Sequence, residues 1–243
     1  MSGDARPAFY ALQPGGWRDY VTLLHPPYTL WHLSYVAIGA ALAPAMKWGL
    51  LGWTLLAFLL AMGIGAHALD ELHGRPLATR IPRAVLVGLA AASVAAACAI
   101  GIVVALHSTL WLLVFVAFGA FVVAAYNLEL FGGAFHSDVW FAVAWGAFPV
   151  LTAYFASAER LRVAALAAAA FGLMSSLAQR WLSTQVRLVR RHVESVTGEM
   201  RLKDGSSLPV DAALLARAPE AALQAFAAAM VLLAAALLLV RAA

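Results

Sequence analysis

The sequence predicts an all-α fold: a polytopic membrane helical bundle of about seven transmembrane helices. Three observations carry this. Of 243 residues, 64% are hydrophobic and only 12% are charged, against about 25% charged in an ordinary soluble domain. Mean hydropathy is +0.85. Six runs without Asp, Glu, Lys or Arg cover residues 20–46, 48–69, 84–128, 139–158, 163–179 and 221–240. A span needs roughly 20 apolar residues, so the long third run holds two helices and each other run holds one.

The predicted spans are 28–46, 49–69, 84–106, 108–126, 139–157, 163–179 and 221–240. Residues 1–27 form a polar N-terminal segment with Asp4, Arg6, Arg18 and Asp19, ending at Pro26 and Pro27, and show no cleavable signal pattern. Residues 28–179 form a six-helix core, residues 180–220 a basic helix and hairpin-like insertion, and residues 221–240 the last span. Alternating the connections places 12 of the 16 Lys and Arg on one side, with Lys47, Arg160, Arg162 and Arg241 on the other. The positive-inside rule makes the richer side cytoplasmic, with the N-terminus inside and the C-terminus opposite. Net charge +4 is thereby explained as topology and needs no nucleic-acid partner. Cys98 is the single cysteine, so an internal disulfide is excluded, and its expected role is packing.

Polar residues gather at the same helix ends: His25, His32, His67, Asp70, Glu71, His73, Asn127, Glu129, His136, Asp138 and Gln179. Either they converge on one cavity open to the cytoplasmic leaflet, or they solvate helix ends among headgroups. The end of the second span is the richest, because a helix continued to Gly74 puts His67 on one face with Asp70 and Glu71, and Asp70 with His73. Nitrogen and oxygen ligands together suit iron, zinc or manganese, while Mg²⁺ prefers oxygen and water. His32, Glu129, His136 and Asp138 are the groups that would complete such a metal shell; the alternative is a helix end with a Glu71 to Arg75 pair.

The insertion opens with Arg180, Arg187 and Arg191 at helical spacing beside Trp181, Leu182 and Val186. This reads as an amphipathic extension of the sixth span on anionic headgroups, or as Arg180 and Arg187 reaching the cavity mouth to bind phosphate or carboxylate directly. Residues 200–210 alternate around Asp204-Gly205 as a hairpin, Asp211 caps a short helix before Pro219, and the whole insertion is a lid, a docking element or a linker. Pro149 is expected to kink the fifth span. Ala-rich runs at 90–98, 164–170 and 227–236 allow close helix approach, within the bundle or in a homo-oligomer.

Leu24-His25-Pro26-Pro27-Tyr28-Thr29-Leu30 leads into the first span, and Gly63-Ile64-Gly65-Ala66 precedes Asp70 and Arg75-Pro76-Leu77. Over residues 20 to 192 the chain resembles the UbiA-type intramembrane prenyltransferase superfamily. That family carries Asn-x-x-x-Asp-x-x-x-Asp after its second helix, Tyr-x-x-x-Lys after its fourth and Asp-x-x-x-Asp after its sixth. Aligning its middle Asp with Asp70 leaves Ala66 for the Asn and Gly74 for the last Asp. Tyr126 fits the second element with Leu130 in place of its Lys, and no acid follows the sixth helix before Glu194. The family usually has nine helices, two more than predicted here.

The resemblance implies an enzyme acting on an isoprenoid or other long-chain lipid, assisted by a divalent metal, Mg²⁺ on a prenyl diphosphate. Asp70, Glu71 and Tyr126 would be catalytic, and Arg75, Asn127, Gln179, Arg180 and Arg187 would bind substrate. Two alternatives stand beside it: a lipid oxidase or hydrolase using Fe, Zn or Mn on His32, His67, Asp70, Glu71 and His136, and a non-catalytic lipid-binding or scaffold protein.

Overall fold

The structure is a computed structural model that describes residues 6–243. The chain is helical, apart from one small hairpin. After the short α1 (Trp17–Leu23) come α2 (Pro26–Leu42), α3 (Trp48–Leu72), α4 (Arg83–His107), α5 (Leu112–Asn127), α6 (Asp138–Ala158) and α7 (Val163–His192). The antiparallel pair β1 (Glu199–Arg201) and β2 (Ser207–Pro209) precedes α8 (Ala212–Ala242). Helices α3, α4, α6, α7 and α8 are long and apolar enough to cross a membrane. The chain is therefore an integral membrane protein, in which α5 is a shorter apolar helix of 16 residues and α2 has 17.

Local chemistry sets several boundaries. Pro26 and Pro27 start α2 where a missing N–H costs nothing, and His25 before them takes a left-handed conformation with φ 45°. Asp211 caps α8 by accepting the Leu214 N–H at 2.7 Å. Contrary to the expected short helix, α8 runs unbroken through Pro219 to Ala242. As an extension of the sixth span requires, α7 continues beyond residue 179 to His192, so the basic stretch is part of one rod.

Helix α2 lies at the centre, packed on α6 and α8, with Trp31, Tyr35 and Val36 fully buried. Gly39 faces the Val150 backbone so closely that an added Cβ would sit 2.3 Å from its carbonyl oxygen. On the other flank of α6, Gly146 and Gly172 meet backbone to backbone, a Cβ on either falling 2.3 or 2.7 Å from the other's oxygen. Small residues let these helices touch without side chains between them.

Three rods widen locally into π-helical turns: Leu59–Ala66 in α3, Val143–Ala147 in α6 and Leu188–His192 in α7. Pro149 follows the second of these directly, so its missing N–H falls beside a turn already off the regular hydrogen-bond ladder.

Replacing Gly146 with valine should separate α6 from α7. We expect a loss of stability of about 1–3 kcal/mol, read as a lower unfolding midpoint of the detergent-solubilised protein. A Gly49→Val control, at a glycine with open space around its Cβ position, should shift it far less.

Candidate functional site

The end of α3 builds the loop beneath the site. Glu71 is buried, and its carboxylate accepts the Leu77 N–H at 3.0 Å, the Thr79 N–H at 2.9 Å and the Thr79 hydroxyl at 2.8 Å. Arg75 donates to the Thr79 carbonyl at 2.8 Å. Asp19 joins the loop to the N-terminal segment, one oxygen taking the Gly15 N–H at 2.9 Å and the other the Arg80 N–H at 3.0 Å. Glu71 and Arg75 are thus engaged in folding residues 71–80. Neither lines the cavity, although α3 continues as a helix to Leu72 as the sharing of a face by His67, Asp70 and Glu71 requires.

Above this loop lies a cavity of about 350 Å³. It gathers His32, His67, Asp70, His73, Tyr126, Asn127, Glu129, His136, Gln179, Arg180 and Arg187 from α2, α3, α5, α7 and the 128–137 connection. His25, expected in this group, lines it too, and the sequence did not point to Tyr28, Arg191, His192 or the segment Pro7–Tyr10 as members. Arg191 was within reach, being one helical turn from Arg187. Tyr10 carried no periodic signal, because it lies outside any helix.

The histidines are held in defined orientations. His67 donates through Nδ1 to the Gly63 carbonyl at 3.0 Å and stacks on His25 with ring centroids 4.0 Å apart. His136 donates through Nδ1 to the Tyr126 carbonyl at 3.0 Å and lies against the Tyr126 ring. His32 donates through Nε2 to Gln179 Oε1 at 2.9 Å. Asn127 is turned inward to its own helix, donating to the Val123 carbonyl. Three buried atoms among these residues lack a hydrogen-bond partner: His25 Nε2, His32 Nδ1 and Tyr126 Oη. In a polar cavity of this size, water or a ligand oxygen is the natural partner.

The charges are unevenly matched. Arg180 pairs with Asp138 at 2.9 Å and lies over the Phe141 ring at 5.5 Å, which places Asp138 beside the site as the partner of Arg180. Arg190 pairs with Glu220 of α8. Arg187 donates to the Thr184 hydroxyl and Arg191 to the Pro7 carbonyl, so among the described residues neither forms a salt bridge. Asp70 likewise makes no side-chain hydrogen bond or salt bridge among the described residues. Tyr10 closes the site from the N-terminal segment, its ring 5.3 Å from His25 and 5.4 Å from Tyr28; burial, then Tyr28, pushes its phenol pKa up.

The expected metal shell was tested against this geometry. Among the described residues no three His, Cys, Asp or Glu side chains are placed to hold a metal ion. Glu71 serves the loop and Asp138 serves Arg180, while His67 and His136 each turn Nδ1 to a carbonyl and keep Nε2 as the remaining ring nitrogen. Glu129 sits at ion-pair distance between His73 and His136, 3.9 and 4.0 Å away.

No family model, curated protein or solved structure matches the chain.

Two outcomes test the local framework. Glu71→Ala should strip partners from two buried N–H groups and cost about 2–4 kcal/mol, seen as a lower thermal midpoint and faster proteolysis in the 71–80 loop. Burial, then His67, Arg191, His32 and Arg187, depress the His25 pKa well below its ordinary 6.5. A depressed imidazole leaves stability intact above that ordinary value and withdraws it as pH falls below, because the unfolded chain takes up a proton first. Thermal midpoints from pH 7.5 to 5 should therefore fall, less steeply in His25→Asn, a residue that tolerates the left-handed backbone.

Proposed function

We propose that this chain crosses the bilayer seven times as a UbiA-like bundle with its cavity toward the cytoplasm. It acts on an isoprenoid or other long-chain lipid whose anionic head enters that cavity. The observation that carries this reading is the pair Arg187 and Arg191, which line the cavity and form no salt bridge among the described residues. Guanidinium groups match phosphate oxygens in charge and in fork geometry. The excess of Lys and Arg at this end of the bundle supports the cytoplasmic orientation.

In the prenyl-transfer form, Arg187 and Arg191 hold the diphosphate and stabilise the negative charge that grows on it as the carbon–oxygen bond of the allylic ester breaks. The acceptor's nucleophilic atom forms the new bond to that carbon. Asp70, with no side-chain hydrogen bond or salt bridge among the described residues, accepts the proton the acceptor loses. Tyr126 offers its unpaired phenol to a substrate oxygen. The arginines supply counter-charge to the departing diphosphate. Binding without turnover is the second reading of the same cavity, as a lipid-binding protein.

Geranylgeranyl diphosphate should raise the unfolding midpoint of the purified protein. Arg187→Ala should weaken its binding by about ten- to a hundredfold, the worth of one charge-assisted hydrogen bond. Diphosphate release measured with a set of neutral acceptors separates enzyme from binder. Absence of both stabilisation and release would remove the basis for the proposal.

A further inference from the structure

Residues 7–10 lie outside any helix, yet they form one wall of the polar cavity. A segment without a regular hydrogen-bond ladder keeps its place only where other groups hold it. Here Ala8 and Ala11 are buried, and the Ala11 N–H closes a turn on the Ala8 carbonyl at 3.1 Å. The Leu12 N–H donates to the Thr22 hydroxyl of α1 at 3.0 Å. From the end of α7, Arg190 and Arg191 donate to the carbonyls of Arg6 and Pro7 at 3.4 and 3.2 Å.

Arg191 thereby belongs to two structures at once. Its Nε–H is spent on Pro7, while the Nη groups of the same plane keep their donors, and the residue lines the cavity. Because a guanidinium is rigid and planar, the Pro7 carbonyl fixes the rotation of the whole fork.

Tyr10 is placed among the same charges. Its ring packs edge-on against Phe9, centroids 5.2 Å apart, in addition to its contacts with His25 and Tyr28. Its phenol lies within electrostatic reach of Arg191, Arg187 and Asp70, and it makes no hydrogen bond among the described residues. Burial keeps that phenol protonated, so it offers an O–H where the arginines offer N–H. A neutral donor beside two guanidinium groups adds no charge repulsion, and its complement is an oxygen acceptor.

We propose that Tyr10 is a ligand-contacting residue, its O–H donating to an oxygen of the anionic head held by Arg187 and Arg191, and that the occupied site thereby clasps residues 7–12 against the bundle. This rests on the reading of the arginine cavity given above. It extends the site to the N-terminal segment, with the Pro7 carbonyl positioning Arg191. The head then bridges α7 and that segment, so its binding and the closure of the segment are linked and each favours the other.

Inorganic pyrophosphate is the probe, titrated calorimetrically into the full chain in phosphatidylcholine nanodiscs, with amide hydrogen exchange followed over residues 8–12. Tyr10→Phe keeps the ring and removes the hydroxyl. Its Kd for pyrophosphate should rise about ten- to a hundredfold, the range for a hydrogen bond to a charged group, with the unfolding midpoint in the absence of pyrophosphate unchanged. Tyr20→Phe, at an exposed position of α1, should alter neither. Saturating pyrophosphate should slow exchange over residues 8–12. Arg191→Lys keeps the charge but has no planar fork to span Pro7 and the head, so it should bind more weakly and lose that slowing. An unchanged Kd in Tyr10→Phe, with binding still lost in Arg187→Ala, would overturn the role of Tyr10 and leave the arginine site standing. A raised Kd accompanied by a lower midpoint without pyrophosphate would mark Tyr10 as a packing residue and also overturn it. Faster exchange over residues 8–12 on binding would show the anion displacing Pro7 from Arg191, which contradicts the clasp. If pyrophosphate neither binds nor stabilises the unaltered chain, the arginine site itself fails.

Discussion

The packing of this bundle depends on α6 touching α2 and α7 through bare backbone. Gly39 of α2 presses on the Val150 carbonyl from one side, and Gly172 of α7 meets Gly146 on the other. Side chains large enough to hold the helices farther apart are absent at those points, so α2, α6 and α7 are fixed relative to one another at a spacing that tolerates no extra carbon. That rigidity matters because His32 on α2 and Gln179 on α7 must meet across the bundle at 2.9 Å. A side-chain hydrogen bond between elements 147 residues apart in sequence persists only where the backbones beneath it are immobile.

The site shows a division of labour among residues that look alike in the sequence. Asp70 and Glu71 are adjacent acids at the end of one helix, yet Glu71 is consumed by the main chain of the following loop while Asp70 faces the cavity. Arg187 and Arg190 differ in the same way: the first lines the cavity, and the second is drawn off to Glu220 of the last helix. What distinguishes a functional charge from a structural one here is whether another part of the chain has already satisfied it. In the cavity Arg180 is matched by Asp138, while Arg187 and Arg191 stay outside any salt bridge among the described residues.

The helical fold and the convergence of polar residues at one end were legible because both follow from patterns local to each helix. Charge-free runs locate membrane-competent helices, and helical spacing places His67 and Asp70 together. The end of α7 was legible in the same way: the apolar run breaks at Gln179 and Arg180, and the helical spacing of Arg180, Arg187 and Arg191 marks the extension that runs on to His192. The fate of Glu71 was not legible, since its partners Leu77 and Thr79 depend on a loop with Arg75 and Ala78 in left-handed conformations that composition does not announce. Tyr10 and Pro7 enter the cavity only through tertiary contacts, with Arg191 holding the Pro7 carbonyl. Main-chain carbonyls leave no trace in a pattern of side chains.

The π-helical turns bear on how such a site is inherited. A π turn carries one residue more than the regular turn it replaces, so it rotates everything beyond it by about 100° relative to everything before. In α6 the turn at Val143–Ala147 separates Phe141, which faces the polar cavity, from Val150 and Tyr154, which face the core. Removing a single residue there would return α6 to a uniform helix and bring the two halves out of register with one another. The helix would survive as a helix, but the cavity wall and the glycine contact could no longer both be kept. Within a lineage of such chains, the length of this segment is therefore more tightly constrained than the identity of its residues, and a gap there marks a change of site where a substitution need not.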